Sequence, residues 1–475
     1  MTSSKVLLFF ICILALQADH CLHEPRLLAS YSAYENPLPV LYVPAKNGNV
    51  KAVQLLLSES ISREDPYWLT VSANLMSSDA IFQLVGKGLN EQNLKKLLLV
   101  AAQRGHSPSQ YELSKFAKTS SGQKRWLTEA AEQGHVKAIE ALYEYYASKD
   151  QVEKTQRWGE LASKHSPQIA VRLATQVWKS GDEARAKRLL KMAQEQGHVE
   201  ASTMLSLIKK FSPLSSIKTN DPTSATCTMA IQFVAATLPA MIKIDKIIDR
   251  FSKDSRFDDF PVCFNPPVWV NAPTMQCGDD PAVRLSCSLS GLIGIAGQRP
   301  FSHAVVVAEH GVANVHNGIM YLDENDDYQV FVHEFAHFAG FIDEYPINES
   351  MAEKFCSRNN APNLVFSKTA PNINATQFAP YINRYPGLAL SEARTCQTNE
   401  FQAFKPSSEL TFLEQHEIGR IPDIYLDIWR KVLTERTSLT PAYVNFAQYF
   451  DSSGQHAEAQ KWWLRYHQYR QIPEV

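Results

Sequence analysis

Three near-copies of one short segment restrict the fold of this chain more than any other feature. Ala101-Ala102-Gln103-Arg104-Gly105-His106 and Ala130-Ala131-Glu132-Gln133-Gly134-His135 are almost superimposable, and Ala193-Gln194-Glu195-Gln196-Gly197-His198 comes close. The step from Gly105 to Gly134 is 29 residues; from Gly134 to Gly197 it is 63, two steps with a degenerate unit around residues 163–166. Lys46-Asn47-Gly48-Asn49 opens an earlier unit. Each unit predicts two short amphipathic helices, the first ending at a glycine that can take left-handed backbone, with alanines letting neighbours approach closely. A single unit cannot bury its apolar face, but stacked units can. The expectation is an all-α repeat solenoid over residues 30–211. His106, His135 and His198 then recur because the repeat recurs, not as metal ligands, and Trp126, Trp158 and Trp178 are expected to pack between helices.

The period resembles the Sel-one-like subclass of tetratricopeptide repeats, which implies an extended surface for a protein partner. Residues 212–226, rich in Ser, Thr, Pro and Asn, predict a linker. Residues 227–425 form a further domain, and residues 426–475 a C-terminal helical hairpin with a turn at Asp451-Ser452-Ser453-Gly454. A length of 475 residues accommodates this multidomain plan, since domains run to roughly 150 residues. Lys+Arg 47 against Asp+Glu 49 leaves a net charge of -2, without the basic excess that phosphate backbones demand, so nucleic acid is excluded as an expected partner.

Lys5 precedes an apolar run over residues 6–16, too short for the roughly 20 residues of a spanning helix, and residues 1–18 read as a secretory signal peptide ending at Ala18. No transmembrane span is expected after its removal, and the protein is expected in the periplasm, or secreted or at the cell surface. Cys227, Cys263, Cys277, Cys287, Cys356 and Cys396 crowd one stretch. An even set in an exported domain predicts at least two disulfides, with the pairing left open.

His333-Glu334-Phe335-Ala336-His337 matches HExxH, preceded by an apolar-rich helical run. Residues i and i+4 share a helix face, so both imidazoles can reach one zinc ion, while Glu334 lies beside the open position as general base. Gly340 and Asp343 extend the pattern to HExxHxxGxxD, the glycine easing the turn that returns a third ligand. Asp343 has the spacing for that ligand; Glu344, Glu349 and Glu353 are the competitors.

This arrangement resembles the metzincin metallopeptidases, with aspartate in place of their third histidine. The string from His333 through Asp343-Glu344-Tyr345 looks most like the IgA-specific metallopeptidase family, and the strands around 303–307 and 314–323 resemble that family's strands before the helix. The resemblance implies an α+β domain of α/β/α type holding one catalytic Zn2+, and a strand edge that binds the substrate backbone. Metzincins also carry a methionine turn beneath the metal. Here Met351 stands too close to Asp343, and Phe404-Lys405-Pro406-Ser407, followed by Leu410, Phe412 and Leu413, is the better counterpart. Tyr381 and Tyr385 are weighed as transition-state donors and read as structural, as are His303, His310, His316 and His416. The sequence therefore predicts an exported zinc endopeptidase acting on protein or peptide, its solenoid holding a protein partner. The alternative is a non-catalytic scaffold with a degenerate or structural zinc domain.

Overall fold

The computed structural model describes residues 25–213, 227–356, 360–397, 400–436 and 438–471. The expected signal peptide and residues 214–226 of the expected linker lie outside the described residues. Two compact units are present, Met1–Ala170 and Val171–Val475.

The first unit is a succession of short helices, among them Glu91–Gln103, Ser107–Lys115, Ser120–Glu132, Val136–Ala147 and Val152–Ala162, each packed on the next. One device repeats at their joints. At Gly105 (φ +82°) the helix ends with the Gly105 N–H donating to the Ala102 carbonyl (3.0 Å) and the His106 N–H to the Ala101 carbonyl (3.2 Å). Gly134, also at φ +82°, repeats both bonds with Ala131 and Ala130. This is the Schellman closure, and it needs left-handed backbone that costs glycine nothing. The histidine that follows caps the next helix: His106 Nδ1 accepts from the Ser109 N–H and His135 Nδ1 from the Ala138 N–H, both at 3.3 Å. Leu127, Ala130, Ala138, Leu142, Tyr143, Trp158 and Ala162 then form a shared core. Each fully buried leucine contributes about 2 kcal/mol. Trp158 lies inside this core and Trp126 against Leu98 and Leu113.

The second unit is mixed α/β, built on a six-stranded sheet of order β1-β3-β2-β4-β6-β5. Its strands are β1 Ser212–Pro213, β2 Met229–Ala235, β3 Val262–Trp269, β4 His303–Ala308, β5 Asn314–His316 and β6 Ile319–Asp323. All pairings are parallel except β5 with β6. Strand β4 is buried along its whole length, as a central parallel strand covered on both faces must be. A smaller antiparallel sheet, β7 Val365–Ser367, β9 Gln402–Lys405 and β8 Ser391–Ala393, stands beside it in sequence order after the HExxH helix. The six cysteines pair as Cys227–Cys263, Cys277–Cys287 and Cys356–Cys396, three bridges where at least two were expected.

Two expected boundaries differ from the structure. The solenoid was expected to run to residue 211, but from Val171 onward its helices belong to the second unit. Trp178 packs on Trp269 of β3 (4.8 Å between centroids), and Lys210 pairs with Asp245 at 2.5 Å. The C-terminal hairpin was expected as a segment separate from the domain of residues 227–425. Helices Tyr443–Ser452 and His456–Arg470 instead bury Phe446, Ala447 and Trp462 in the same core as Val306 of β4 and Tyr321 of β6. Apolar faces of two lone helices have nowhere else to go, and the sheet offers an uncovered face. Among the described residues no helix is long and apolar enough to cross a membrane.

Candidate metal centre and its cleft

Helix Tyr328–Phe338 starts at Asp327, whose carboxylate accepts from the Gln329 and Val330 N–H groups at 2.7 and 3.0 Å. Phe331 and Phe335 bury its inner face against Phe251, Phe257 and Trp429. That packing fixes the rotation of the helix and turns His333 and His337 the other way. The helix ends with the closure seen in the repeats: Gly340 (φ +79°) donates to the His337 carbonyl at 3.0 Å, and Phe341 to the Ala336 carbonyl at 3.3 Å. A Cβ at Gly340 would also approach Ser438 Cβ to 3.1 Å.

The chain then reverses and brings Asp343 beneath the histidines. Asp343 Oδ1 lies 3.1 Å from His333 Nε2 and 3.2 Å from His337 Nε2, and the two Nε2 atoms are 3.3 Å apart. Tetrahedral zinc with bonds of 2.0–2.1 Å holds its ligands about 3.3 Å apart, so the donor triangle has the size such an ion requires. Asp343 Oδ1 is shut from solvent, and its near neighbours are the two imidazole nitrogens, so its charge is met by an imidazolium or by a cation seated among the three atoms. Burial alone would raise the Asp343 carboxyl pKa; the His337 and His333 imidazoles outweigh it and hold the group below its usual range. Burial likewise opposes a charge on His337, but Asp343 overrides it and the imidazole is pushed up to about 9.

Each histidine is oriented by its other nitrogen. His333 Nδ1 donates to the Phe412 carbonyl at 2.9 Å and His337 Nδ1 to the Phe341 carbonyl at 2.8 Å. A carbonyl only accepts, so Nδ1 carries a proton and, in the neutral ring that a metal requires, the Nε2 lone pair faces the centre. Glu334 shares a donor cluster with both histidines, all ligand atoms within 4.8 Å of one another. It is 7% exposed, and burial raises its carboxyl pKa, partly opposed by the nearby imidazoles.

Glu344 faces away from this triangle and is fully buried. Its carboxylate accepts from Asn363 Nδ2 (3.0 Å), Tyr425 Oη (2.7 Å) and Thr411 Oγ1 (2.6 Å), and Lys405 Nζ lies 3.3 Å away. Its own N–H donates to the Leu413 carbonyl at 3.0 Å. Glu344 thus clamps the segment 411–413 whose Phe412 carbonyl orients His333. That is what stands beneath the site in place of a methionine turn, and it lies just beyond the Phe404-Lys405-Pro406-Ser407 stretch. Glu349 and Glu353 are exposed on helix Glu349–Phe355. Tyr385 is engaged elsewhere, donating to Asp427 Oδ2 at 2.5 Å, and His303 is buried in β4.

Three neighbours were given no part in the site by the sequence reading, which took His416 as structural. Tyr345 flanks the site, its ring stacked toward His333 (6.4 Å) and its hydroxyl pKa pushed up by burial and then by Asp343. His416 lies edge-on to His333 at 6.2 Å. Arg284 reaches a cavity of about 290 Å³ shared with Glu334, His337, Asp343 and Tyr345. Tyr345 was readable as part of the motif string; nothing local marks Arg284 or His416.

No family model matches the chain, and no curated protein matches it. Two solved structures are similar in part. One is a protective antigen of uropathogenic Escherichia coli displaying an SLR fold, at 19% identity and a TM-score of 0.26 over 39% of this chain and 48% of that one. The other is a Sel1 repeat protein from Oxalobacter formigenes, at 18% identity and a TM-score of 0.24 over 36% of this chain and 73% of that one. The match thus spans about half the length of the first.

Proposed function

We propose that this chain is an exported, zinc-dependent endopeptidase of metzincin type, with the helical repeats holding a protein partner or substrate. The observation that supports it most is the triangle of His333 Nε2, His337 Nε2 and Asp343 Oδ1 with Glu334 alongside. His333, His337 and Asp343 would hold the zinc, which when bound would supply Lewis acidity toward a carbonyl and a water. Glu334 takes the proton of that water and delivers it to the departing amine; its burial, which raises the carboxyl pKa, suits a group that must carry a proton between the two. Strand β5 closes the sheet beside the HExxH helix, so an extended peptide can pair along its outer edge. Three disulfides fit an oxidising compartment outside the cytosol.

Metal analysis combined with cleavage of a denatured protein substrate tests the reading. Zinc near one per chain, with cleavage by the wild type and none by Glu334→Gln, is the expected result. A second reading, a non-catalytic scaffold, draws on the stacked repeat architecture, whose usual use is binding. Zinc-loaded wild type that cleaves no protein on a broad panel would favour it.

A further inference from the structure

Arg284 is the only lysine or arginine among the described residues lining the cleft. Its backbone is held firmly. It bridges in parallel to Val312, the Leu285 N–H donates to the Val312 carbonyl at 3.0 Å, and Asn314 Nδ2 donates to the Leu285 carbonyl at 2.9 Å. Leu285 is buried, and the Cys277–Cys287 bridge closes the same segment. The side chain is therefore launched from a rigid base at the start of β5.

Among the described residues its head makes no ion pair. Arg256, Arg384, Arg420 and Arg430 of the same unit each lie within ion-pair distance of a carboxylate. Arg284 instead places Nη2 3.7 Å from Met351 Sδ, with no carboxylate within 4.0 Å among the described residues. A thioether is a weak acceptor, so the fork of N–H donors is left for something that enters the cleft. Ile342, Ile347, Met351 and Phe355 line the same cavity with apolar surface. A forked cation beside apolar lining suits a carboxylate on a short aliphatic stem.

Resting on the peptidase reading of the same cleft, we infer that Arg284 reads a carboxylate of the bound peptide. The group is either an Asp or Glu side chain close to the scissile bond or the free C-terminus of a short peptide. Arg284 is then a specificity-determining residue.

The test uses the full chain carrying Glu334→Gln, loaded with zinc, and fluorescent octapeptides in which one Gln at a time is replaced by Glu. A parallel pair carries a free or amidated C-terminus. At low salt, one acidic peptide should bind about five-fold tighter than its amide twin or more, as an exposed ion pair allows. Arg284→Ala should bring that ratio to about one, Arg284→Lys should keep part of it, and Arg284→Glu should invert it toward Lys-containing peptides. The position at which the ratio falls identifies the side-chain or C-terminal source. An Arg284→Ala protein that loses affinity for acidic and amide peptides alike would give Arg284 a structural role only, and that result overturns the inference, as does the absence of any acidic preference. Wild-type cleavage of the same peptides is read separately: an Arg284-dependent preference without cleavage would sink the peptidase reading and leave carboxylate recognition standing.

Discussion

Histidines follow a glycine-closed helix in the repeats and sit within one in the cleft, and the two sets are wired in opposite senses. In the repeats, His106 and His135 spend Nδ1 as an acceptor for the first turn of the next helix. The proton then sits on Nε2, and in His106 that nitrogen faces Asp79 at 3.1 Å. In the cleft, His333 and His337 donate from Nδ1 to carbonyls and present bare Nε2 atoms. The same side chain is a helix cap in one place and a candidate ligand in the other. What separates them is the partner of Nδ1: an N–H in the repeats, a C=O in the cleft.

The largest effect expected of a single change is on turnover. Glu334→Gln should lower kcat/KM by about a thousand-fold or more while zinc stoichiometry is retained, because a carboxamide cannot accept the water proton. Turnover near wild type would remove Glu334 from its role and with it much of the contrast between the two regions.

Metal content sharpens the contrast directly. His333→Ala, His337→Ala and Asp343→Ala should each lose zinc on dialysis, whereas His135→Ala and Glu353→Ala should hold it at the wild-type level. Zinc lost with Glu353→Ala and kept with Asp343→Ala would overturn the metzincin spacing.

Beneath the site the expected effect is on stability. Glu344→Ala strips Lys405, Thr411, Tyr425 and Asn363 of a shared buried partner and should cost about 3 kcal/mol in denaturant unfolding. Because the clamp orients His333 through Phe412, zinc affinity should fall as well, although Glu344 touches no donor of the triangle. Unchanged zinc affinity in a folded Glu344→Ala protein would separate the clamp from the site.

The repeat caps should give smaller changes. His135→Ala removes an N-cap acceptor and should cost about 1 kcal/mol. The His135 pKa is lowered, by burial first and then by Lys137. A folded-state pKa below the unfolded value means stability that is whole above about pH 6.5 and is lost as pH falls through the lower folded value. His135→Asn keeps an acceptor but does not titrate, so it should flatten part of the decline in repeat-region stability as pH falls below about 6.5. An identical acid slope in both proteins would deny the capping tautomer.

Much of the local structure was legible because it depends on neighbours within five residues. The Gly-His signature foretold helix ends that the Schellman bonds of Gly105 and Gly134 realise, and the HExxHxxGxxD spacing placed two histidines on one face and a reversal at Gly340. The end of the solenoid was not legible, because helical periodicity continues past residue 170 while the packing partner changes from the next repeat to β3 and the helix Leu238–Phe251. That the C-terminal hairpin joins the core of the sheet was not legible for the same reason: an amphipathic pattern states that a face is buried, not against what.

By itself, then, the sequence determined the period of the repeats, the helix that carries His333, Glu334 and His337, and the turn that returns Asp343, since each rests on bonds between residues close in the chain. Tertiary structure alone decided that Phe412, from a segment 79 residues beyond His333, fixes the imidazole, that Glu344 is a clamp rather than a ligand, and that Arg284 faces the cleft. Those assignments depend on which distant backbone carbonyl, buried lysine or rigid strand edge arrives beside a side chain. Chain topology sets that, and spacing along the sequence carries no trace of it.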